Sequence, residues 1–349
     1  MATNVYDMNE VIATIVVPIY NTKDTLDRTV ESIINQTYKY LDVLLIDDGS
    51  ENDAKNKCDE WTTKDSRIRC IHKNNEGLGL TRNRGIREAI GKYVFFIDSD
   101  DYIEHNMISE MVSKAEEFKA DVVCSSFFMD ESEEDCILPG GLYENNIKKY
   151  LLPRLLGRKK TGEDDFLNVS ACTKLYSIEF LKKHNISFKS ERQYIWEDMA
   201  FNFDCLLYAE HVYIIDRCFY HYCYNDQSIT HVYDSHKIDR IVGIYNYFLD
   251  AINNNCVSEE SHIRLNYSVM GNIRMCIKQI ALYCNKQEAI KEINRICNIQ
   301  EVEKIVGELR GENLSKIQLL LNSALKRKNI RIVYLLALIQ NYKTKGEIS

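Results

Sequence analysis

The chain has 349 residues, 45% hydrophobic and 28% charged, a balance typical of a globular protein with one large domain and an appendage, or with two domains. Its net charge of −8 argues against nucleic acid as a partner. The twelve cysteines include no C-x-x-C pair and several lie inside apolar runs (Cys124, Cys205, Cys218), so they read as core residues of a reducing compartment rather than a disulfide framework or zinc site.

The segment Met1–Glu10 is polar and carries no secretory signal. Ile12 to Val17 is a continuous β-branched apolar run, the pattern of a buried strand. Leu26, Val30, Ile33 and Ile34 then recur at helical spacing, and Leu41 to Ile46 is a second buried strand ending in Asp47-Asp48-Gly49-Ser50. A polar helix over about Asn52 to Lys64 leads to a short strand, Ile68 to His72. A glycine-punctuated loop, Asn74 to Gly79, opens a helix to Ile90. Tyr93 to Ile97 is another strand, ending in Asp98-Ser99-Asp100-Asp101. A helix (His105 to Phe118) and a strand (Asp121 to Phe127) follow, and the sheet continues through Val212 to Asp216 and Cys218 to Tyr224. Beyond about Ser235 the pattern is helical. Strand–helix alternation with apolar strands predicts a mostly parallel sheet covered by helices. Ligands of such sheets sit beyond the carboxyl ends of the strands, which is where the acidic clusters fall.

Asp98 and Asp100, one residue apart at a strand end, can face one site, and hard oxygen ligands suit Mg²⁺ or Mn²⁺; one of them could equally cap the next helix. Asp47-Asp48-Gly49-Ser50 can accept from a base N–H or a ribose hydroxyl, or simply form a turn. In Asn75 to Gly85, either Arg82 or Arg84 could face an anion, or both could be solvated at a helix start. Glu197-Asp198, just before an apolar helix, suits a helix N-terminus or a general base.

In order and context these segments resemble the family 2 glycosyltransferases, over roughly residues 10 to 230. Thr14 to Asn21 resembles the family's opening strand, Ile46 to Ser50 its base- and ribose-binding element, and Asn75 to Gly85 its N-x-G-x-x-x-x-R-N-x-G stretch. Phe96 to Asp101 resembles its D-x-D metal site and Glu197-Asp198 its E-D motif. The resemblance implies an α/β, GT-A nucleotide-diphospho-sugar transferase fold, a Rossmann-like mostly parallel sheet flanked by helices. Residues 1–234 would form this catalytic domain and 235–349 a helical C-terminal region. It implies an inverting single displacement with Asp198 as base and Glu197 beside it. Pro18, Tyr20, Asn21, Asp47, Asp48, Gly77, Arg82, Asp98 and Ser99 would surround a UDP-sugar donor. Asp100 and Asp98 would hold Mn²⁺ or Mg²⁺, with His221 or His231 as a third ligand unless these histidines are structural. The acceptor would be a glycan or a polyprenyl-linked saccharide, in capsule, exopolysaccharide or lipopolysaccharide assembly. The competing expectation is a non-catalytic module of the same fold that binds carbohydrate or a partner protein.

Two departures from the family matter. The Q-x-x-R-W sequence of processive members is absent after Asp198, which implies one sugar per encounter. Cys223 stands in Tyr220 to Tyr224 where many relatives carry Arg.

From Ser315 to Lys345 the chain carries Lys316, Lys326, Arg327, Lys328, Arg331, Lys343 and Lys345 and no acidic residue. Apolar residues at helical spacing lie between them. Such a stretch suits an anionic membrane surface, packing on the catalytic domain, or a homodimer contact. The expected location is the cytoplasm, peripheral to the inner face of the plasma membrane, since the longest apolar run, Ile332 to Ile339, is far short of the roughly 20 residues that span a bilayer.

Overall fold

A computed structural model of the chain describes residues 12–129, 132–133, 138–157, 166–223, 234–255, 257–309 and 314–346, with side chains to 341 except those of 132–133. The N-terminal segment Met1–Glu10, His231 and the side chains of Lys343 and Lys345 lie outside the described residues. Contact density divides the chain into two units. The first holds Met1–Leu155, Leu167–Arg192 and Trp196–Gln227; the second holds Leu156–Phe166, Gln193–Ile195 and Ser228–Ser349.

The first unit is built on one mixed sheet. Its strands are β1 (Ala13–Ile19), β2 (Leu41–Asp47), β3 (Ile68–His72), β4 (Tyr93–Phe96), β5 (Tyr102–Ile103), β6 (Val122–Met129), β7 (Ser132–Glu133), β8 (Gly141–Tyr143), β9 (Lys174–Ser177) and β10 (Val212–Tyr222). They lie in the order β3-β2-β1-β4-β9-β6-β10-β5, with β7 on β6 and β8 on β10. β3, β2, β1 and β4 are parallel, as the two-sided apolar runs require. β9 then runs antiparallel between β4 and β6, and β6 and β10 are again parallel. Every residue of β1 and β2 is buried.

The helices of this unit are α1 (Leu26–Ile34), α2 (Ala54–Lys64), α3 (Leu78–Glu88), α4 (Met107–Phe118), α5 (Leu152–Leu156, whose last residue groups with the second unit), α6 (Ile178–Lys183) and α7 (Glu197–Tyr208). α1 buries Leu26, Val30 and Ile33, one stripe at helical spacing. α3 lies so close to β1 that a Cβ on Gly85 would stand 2.4 Å from Val16 Cγ1. That approach fixes where the arginine three residues earlier projects.

The second unit is helical among its described residues: α8 (Lys237–Asn254), α9 (Glu259–Tyr283), α10 (Lys286–Cys297), α11 (Gln300–Glu308), α12 (Lys316–Lys326) and α13 (Ile330–Gly346). α9 is its axis and packs on α8, α10, α11 and α13, burying Leu265, Val269, Ile273 and Ile277. Asn285 caps α10, and Ser315 with Gln318 forms a capping box on α12, both satisfying first-turn N–H groups. Among the described residues no helix is long and apolar enough to cross a membrane.

Candidate active site

Arg82 is the centre of the site. α3 carries it inward, and its guanidinium is buried to 1% exposure. Nη1 donates to Asp198 Oδ1 at 2.5 Å and Nη2 to Asp98 Oδ1 at 2.8 Å, while Glu197 Oε1 lies 3.7 Å from Nη1. The Phe188 ring lies beneath, 5.4 Å from the guanidinium carbon, and Nε has no partner among the described residues. One side chain thus joins the acidic end of β4 to the start of α7, where Asp198 lies 116 residues from Arg82 itself.

Asp198 is held from both sides, because its Oδ2 accepts from the Ala171 N–H at 3.0 Å. Asn202, one turn on, donates to the Asp198 carbonyl at 3.0 Å and to Val169 O at 2.9 Å. These bonds fix the α7 N-terminus against the short 3₁₀ turn Ala171–Thr173. Trp196 enters α7 with a left-handed backbone (φ 60°). Burial, with the Asp198 charge beside it and Arg82 opposing, pushes Glu197 up to about 7. Asp198 is raised as well, by burial, with Arg82 again opposing and Asp98 adding to the rise.

The β4 end is anchored by residues that do not face outward. Ser99 is buried, with its hydroxyl 2.6 Å from that of Thr22 and its carbonyl accepting from Thr25 and Thr29. Asp101 accepts from the Tyr220 hydroxyl at 2.5 Å and the Cys223 N–H at 2.8 Å. Burial with Asp98 nearby pushes it up to about 8. The Asp98 side chain is a third exposed, and the Asp100 carbonyl accepts from Arg28 at 2.5 Å. Asp98, Glu197 and Asp198 thus share the Arg82 guanidinium, and Asp100 lies two residues beyond Asp98. A surplus of hard oxygen donors at the end of β4 fits a divalent cation of the Mg²⁺ or Mn²⁺ type.

At the ends of β1 and β2, Pro18 pairs with Ile46 inside the sheet, while Tyr20 is 47% exposed. Asn21 takes a left-handed backbone (φ 58°) and ties the two loops together. Its N–H donates to Ser50 Oγ at 3.1 Å, its side chain accepts from the Glu51 N–H at 2.8 Å, and its carbonyl accepts from Asn52. Asp47 is buried and accepts from the Ser50 N–H at 2.9 Å, with His72 Nδ1 2.9 Å from its other oxygen. Asp48 turns inward to hold the next loop. It accepts from Lys73, from the Glu76 N–H at 2.9 Å and from the Gly77 N–H at 2.9 Å. Gly77 has φ 98°, and a Cβ there would meet Glu191 Oε1 at 1.8 Å. That carboxylate accepts from the Leu78 and Gly79 N–H groups at 3.2 Å each, closing the α3 N-terminus as a favourable anion would.

His221 has partners of its own. It stacks between Tyr102 and Phe128, with ring centroids 4.1 and 4.5 Å away, and its Nε2 lies 2.7 Å from Glu104 Oε1. His231 lies outside the described residues. Lys174 is fully buried in β9 and donates to the carbonyls of Asn168 and Ser170.

Three contributors to the site escaped sequence reasoning: the Ala171 N–H, Phe188 and Glu191. Each supplies a backbone group, a ring face or a cap from far along the chain, which no motif spacing marks. Asn83, inside the glycine-rich motif, offers the one available signal. Its side chain exchanges two hydrogen bonds with the Phe188 backbone, 2.8 and 2.9 Å long.

Residues 14–184 match the profile "Glycosyl transferase family 2". The uncharacterized glycosyltransferase EpsJ of Bacillus subtilis (strain 168) is 28% identical over 221 residues, which make up 63% of this chain and 63% of EpsJ. The chain thus spans less than two thirds of that relative's length. Among solved structures, residues 1–349 of S. aureus TarS in complex with UDP-GlcNAc match with a TM-score of 0.68 at 17% identity, over 96% of this chain and 92% of that one. The mannosyltransferase PcManGT from Pyrobaculum calidifontis, in complex with GDP-Man and Mn²⁺, matches with a TM-score of 0.52 at 12% identity, over 96% and 88%. At these identities the two structural likenesses are likenesses of fold.

Proposed function

The chain belongs to glycosyl transferase family 2 through residues 14–184 and has the GT-A fold, and from that premise we propose that it moves a single sugar from a UDP-sugar to a hydroxyl of a glycan or polyprenyl-linked acceptor, with inversion. The observation that carries the reading is the Arg82 bridge between Asp98 and Asp198. A donor-side carboxylate and an acceptor-side carboxylate are held at one point, as an in-line displacement requires.

In this mechanism Asp198 is the base. Arg82 and the Ala171 N–H fix both of its oxygens, so its orientation is set before the acceptor arrives. The attacking hydroxyl becomes acidic as it bonds to the anomeric carbon, and Asp198 takes the proton. Glu197 is a second carboxylate at the same helix start, and the two titrate as a pair, with burial keeping Asp198 basic. The ends of β1 and β2, with Pro18, Tyr20, Asn21 and Asp47, are assigned to the nucleotide, and Asp48 and Gly77 to shaping the loop beneath it. Asp100 and Asp98 would hold a Mn²⁺ or Mg²⁺ ion, whose chemistry is to stabilise charge on the leaving diphosphate. The UDP-GlcNAc complex of TarS supports a uridine nucleotide, and the Mn²⁺ complex of PcManGT supports the cation. Residues 1–234 would hold this chemistry and 235–349 a separate helical role. Assembly of a bacterial surface glycan is the process we assign. The test is nucleoside diphosphate release from UDP-, GDP- and dTDP-sugars with Mn²⁺. Release from a UDP-sugar that is lost on chelation and in Asp100→Ala is the expected result. No release from any donor, with no UDP binding by calorimetry, would favour the non-catalytic binding module.

We assign the C-terminal helices to an anionic membrane surface on the cytoplasmic side. Leu320 on α12 and Leu335 on α13 are 58% and 56% exposed, on a stretch whose charged residues are all basic. Wild-type protein is expected to float with phosphatidylglycerol-containing vesicles, and Leu320→Asp/Leu335→Asp to stay at the bottom of the gradient. Equal flotation of the two would end the membrane assignment and leave a homodimer contact as the use of these side chains.

A further inference from the structure

A second group of ligating side chains lies at the β3 edge of the sheet, and the transfer chemistry makes no use of it. Cys70 and His72 are two residues apart on β3, so they leave the same face of the strand. Asp59 on α2, which packs against β3, meets them there. Cys70 Sγ lies 3.6 Å from His72 Nε2, and that nitrogen lies 3.0 Å from Asp59 Oδ1. All three donor atoms fall within 4.8 Å of one another, the one such group of His, Cys, Asp or Glu among the described residues.

These separations can be compared with what a metal demands. With Zn–S near 2.3 Å and Zn–N near 2.0–2.1 Å, tetrahedral geometry puts neighbouring S and N ligands about 3.6 Å apart and N and O ligands about 3.4 Å apart. The thiol–imidazole spacing already meets the first value. The imidazole–carboxylate pair must open by a few tenths of an ångström, and Asp59 is exposed enough to do so, at 60%. The remaining His72 nitrogen, Nδ1, lies 2.9 Å from buried Asp47 Oδ2. That is the outer carboxylate which fixes ring orientation and tautomer in many histidine–metal sites. When Nδ1–H donates to Asp47 in the neutral ring, the Nε2 lone pair faces Cys70 and Asp59.

A second thiol stands beside the first. Cys58 on α2 is fully buried and hydrogen-bonded to Cys70. That bond, opposed by burial and helped by the His72 charge, lowers the Cys70 thiol. Thiolate, imidazole and carboxylate together select zinc over magnesium or manganese.

We propose that Asp59, Cys70 and His72 form a zinc-binding site, with solvent as the fourth ligand, that pins α2 to the edge strand β3. Binding exchanges the thiol proton for the metal, with no change of oxidation state.

The test uses the full chain carrying Asp98→Asn/Asp100→Asn, which removes the other candidate cation site, stripped with chelator and titrated with Zn²⁺ or Co²⁺ alone. The expected result is one equivalent of metal, a cobalt spectrum with a thiolate charge-transfer band and tetrahedral d–d intensity, and a thermal midpoint that rises with zinc. Cys70→Ser should lose the charge-transfer band, and His72→Ala should weaken zinc by about tenfold or more. Asp59→Asn, at an exposed helix position, should weaken zinc while the metal-free chain stays folded, which covers the case of a β3 variant that fails to fold. Folded protein that takes up no zinc, or zinc uptake equal in all three variants, would overturn the proposal.

Discussion

Replacing Arg82 with Met is expected to cost about 3–5 kcal/mol of stability and to abolish sugar transfer. The guanidinium is 1% exposed and carries hydrogen bonds to Asp198 and Asp98, with Glu197 3.7 Å away. Methionine matches its bulk but leaves three carboxylates without their shared cation, and an uncompensated buried charge costs far more than the lost pair was worth. The deficit should shrink as pH falls, because protonated Glu197 and Asp198 need no counter-ion. Arg82→Lys separates charge from geometry. A single ammonium cannot donate to Asp98 and Asp198 along two fixed directions, so this variant should recover part of the stability and little of the turnover. Urea unfolding and diphosphate release measured side by side decide the matter. An active Arg82→Met enzyme with an unchanged unfolding midpoint would show that the bridge carries no energetic weight.

The parallel half of the sheet was legible because β1, β2 and β4 are buried on both faces and say so in unbroken β-branched and aromatic runs. The helical C-terminal region was legible for the same kind of reason, a period that persists over α8 to α13. β9 was not. Four residues long and entered through a 3₁₀ turn, it has no room to establish a period, and its place between β4 and β6 is set by antiparallel pairing to strands on both sides. The acidic motifs were readable in order, yet order does not say which carboxylates converge. Asp48 and Asp98 both follow strand ends, but Asp48 bends back to hold the Gly77 loop whereas Asp98 reaches Arg82. The choice between Arg82 and Arg84 is settled by α3 geometry. Gly85 presses that helix onto Val16, which turns Arg82 into the interior and leaves Arg84 to pair with Glu88 at 2.9 Å, 40% exposed. His221 illustrates the reverse case: a residue type that suits a metal, in a strand that stacks it between two aromatic rings. The cysteines read against zinc because no C-x-x-C pair is present and several lie in apolar runs, and the site proposed above uses neither signal. The Cys70–His72 pair follows the two-residue period of a strand instead, and its third member comes from a helix.

Asp198→Asn is expected to lower kcat by about 100- to 10,000-fold, the usual worth of a positioned base, while UDP affinity stays near wild type. The amide oxygen can keep only one of the two bonds, from the Ala171 N–H or from Arg82, and Arg82 still pairs with Asp98, so some stability is lost but the fold should be retained, with the main loss in proton transfer. The pH dependence supplies an independent check. Glu197 is pushed from 4.5 to about 7 by burial and by Asp198, and the two carboxyls titrate as a pair. Transfer needs the unprotonated base, and Asp198 is itself raised by burial and by Asp98, so activity should fall on the acid side as the pair takes up its protons. The stability sign is the opposite: a carboxyl raised in the folded state destabilises the protein progressively as pH climbs from about 4.5 to about 7. Glu197→Gln removes the neighbouring charge, so the acidic limb of the rate profile should move to lower pH and the stability loss over that window should disappear. If the limb stays in place in Glu197→Gln while Asp198→Asn remains active, the proton is taken by another group and the assignment of Asp198 is wrong. A limb that moves while Asp198→Asn is inactive ties the rate to one carboxylate whose basicity is set by its neighbour and whose direction is set by Arg82.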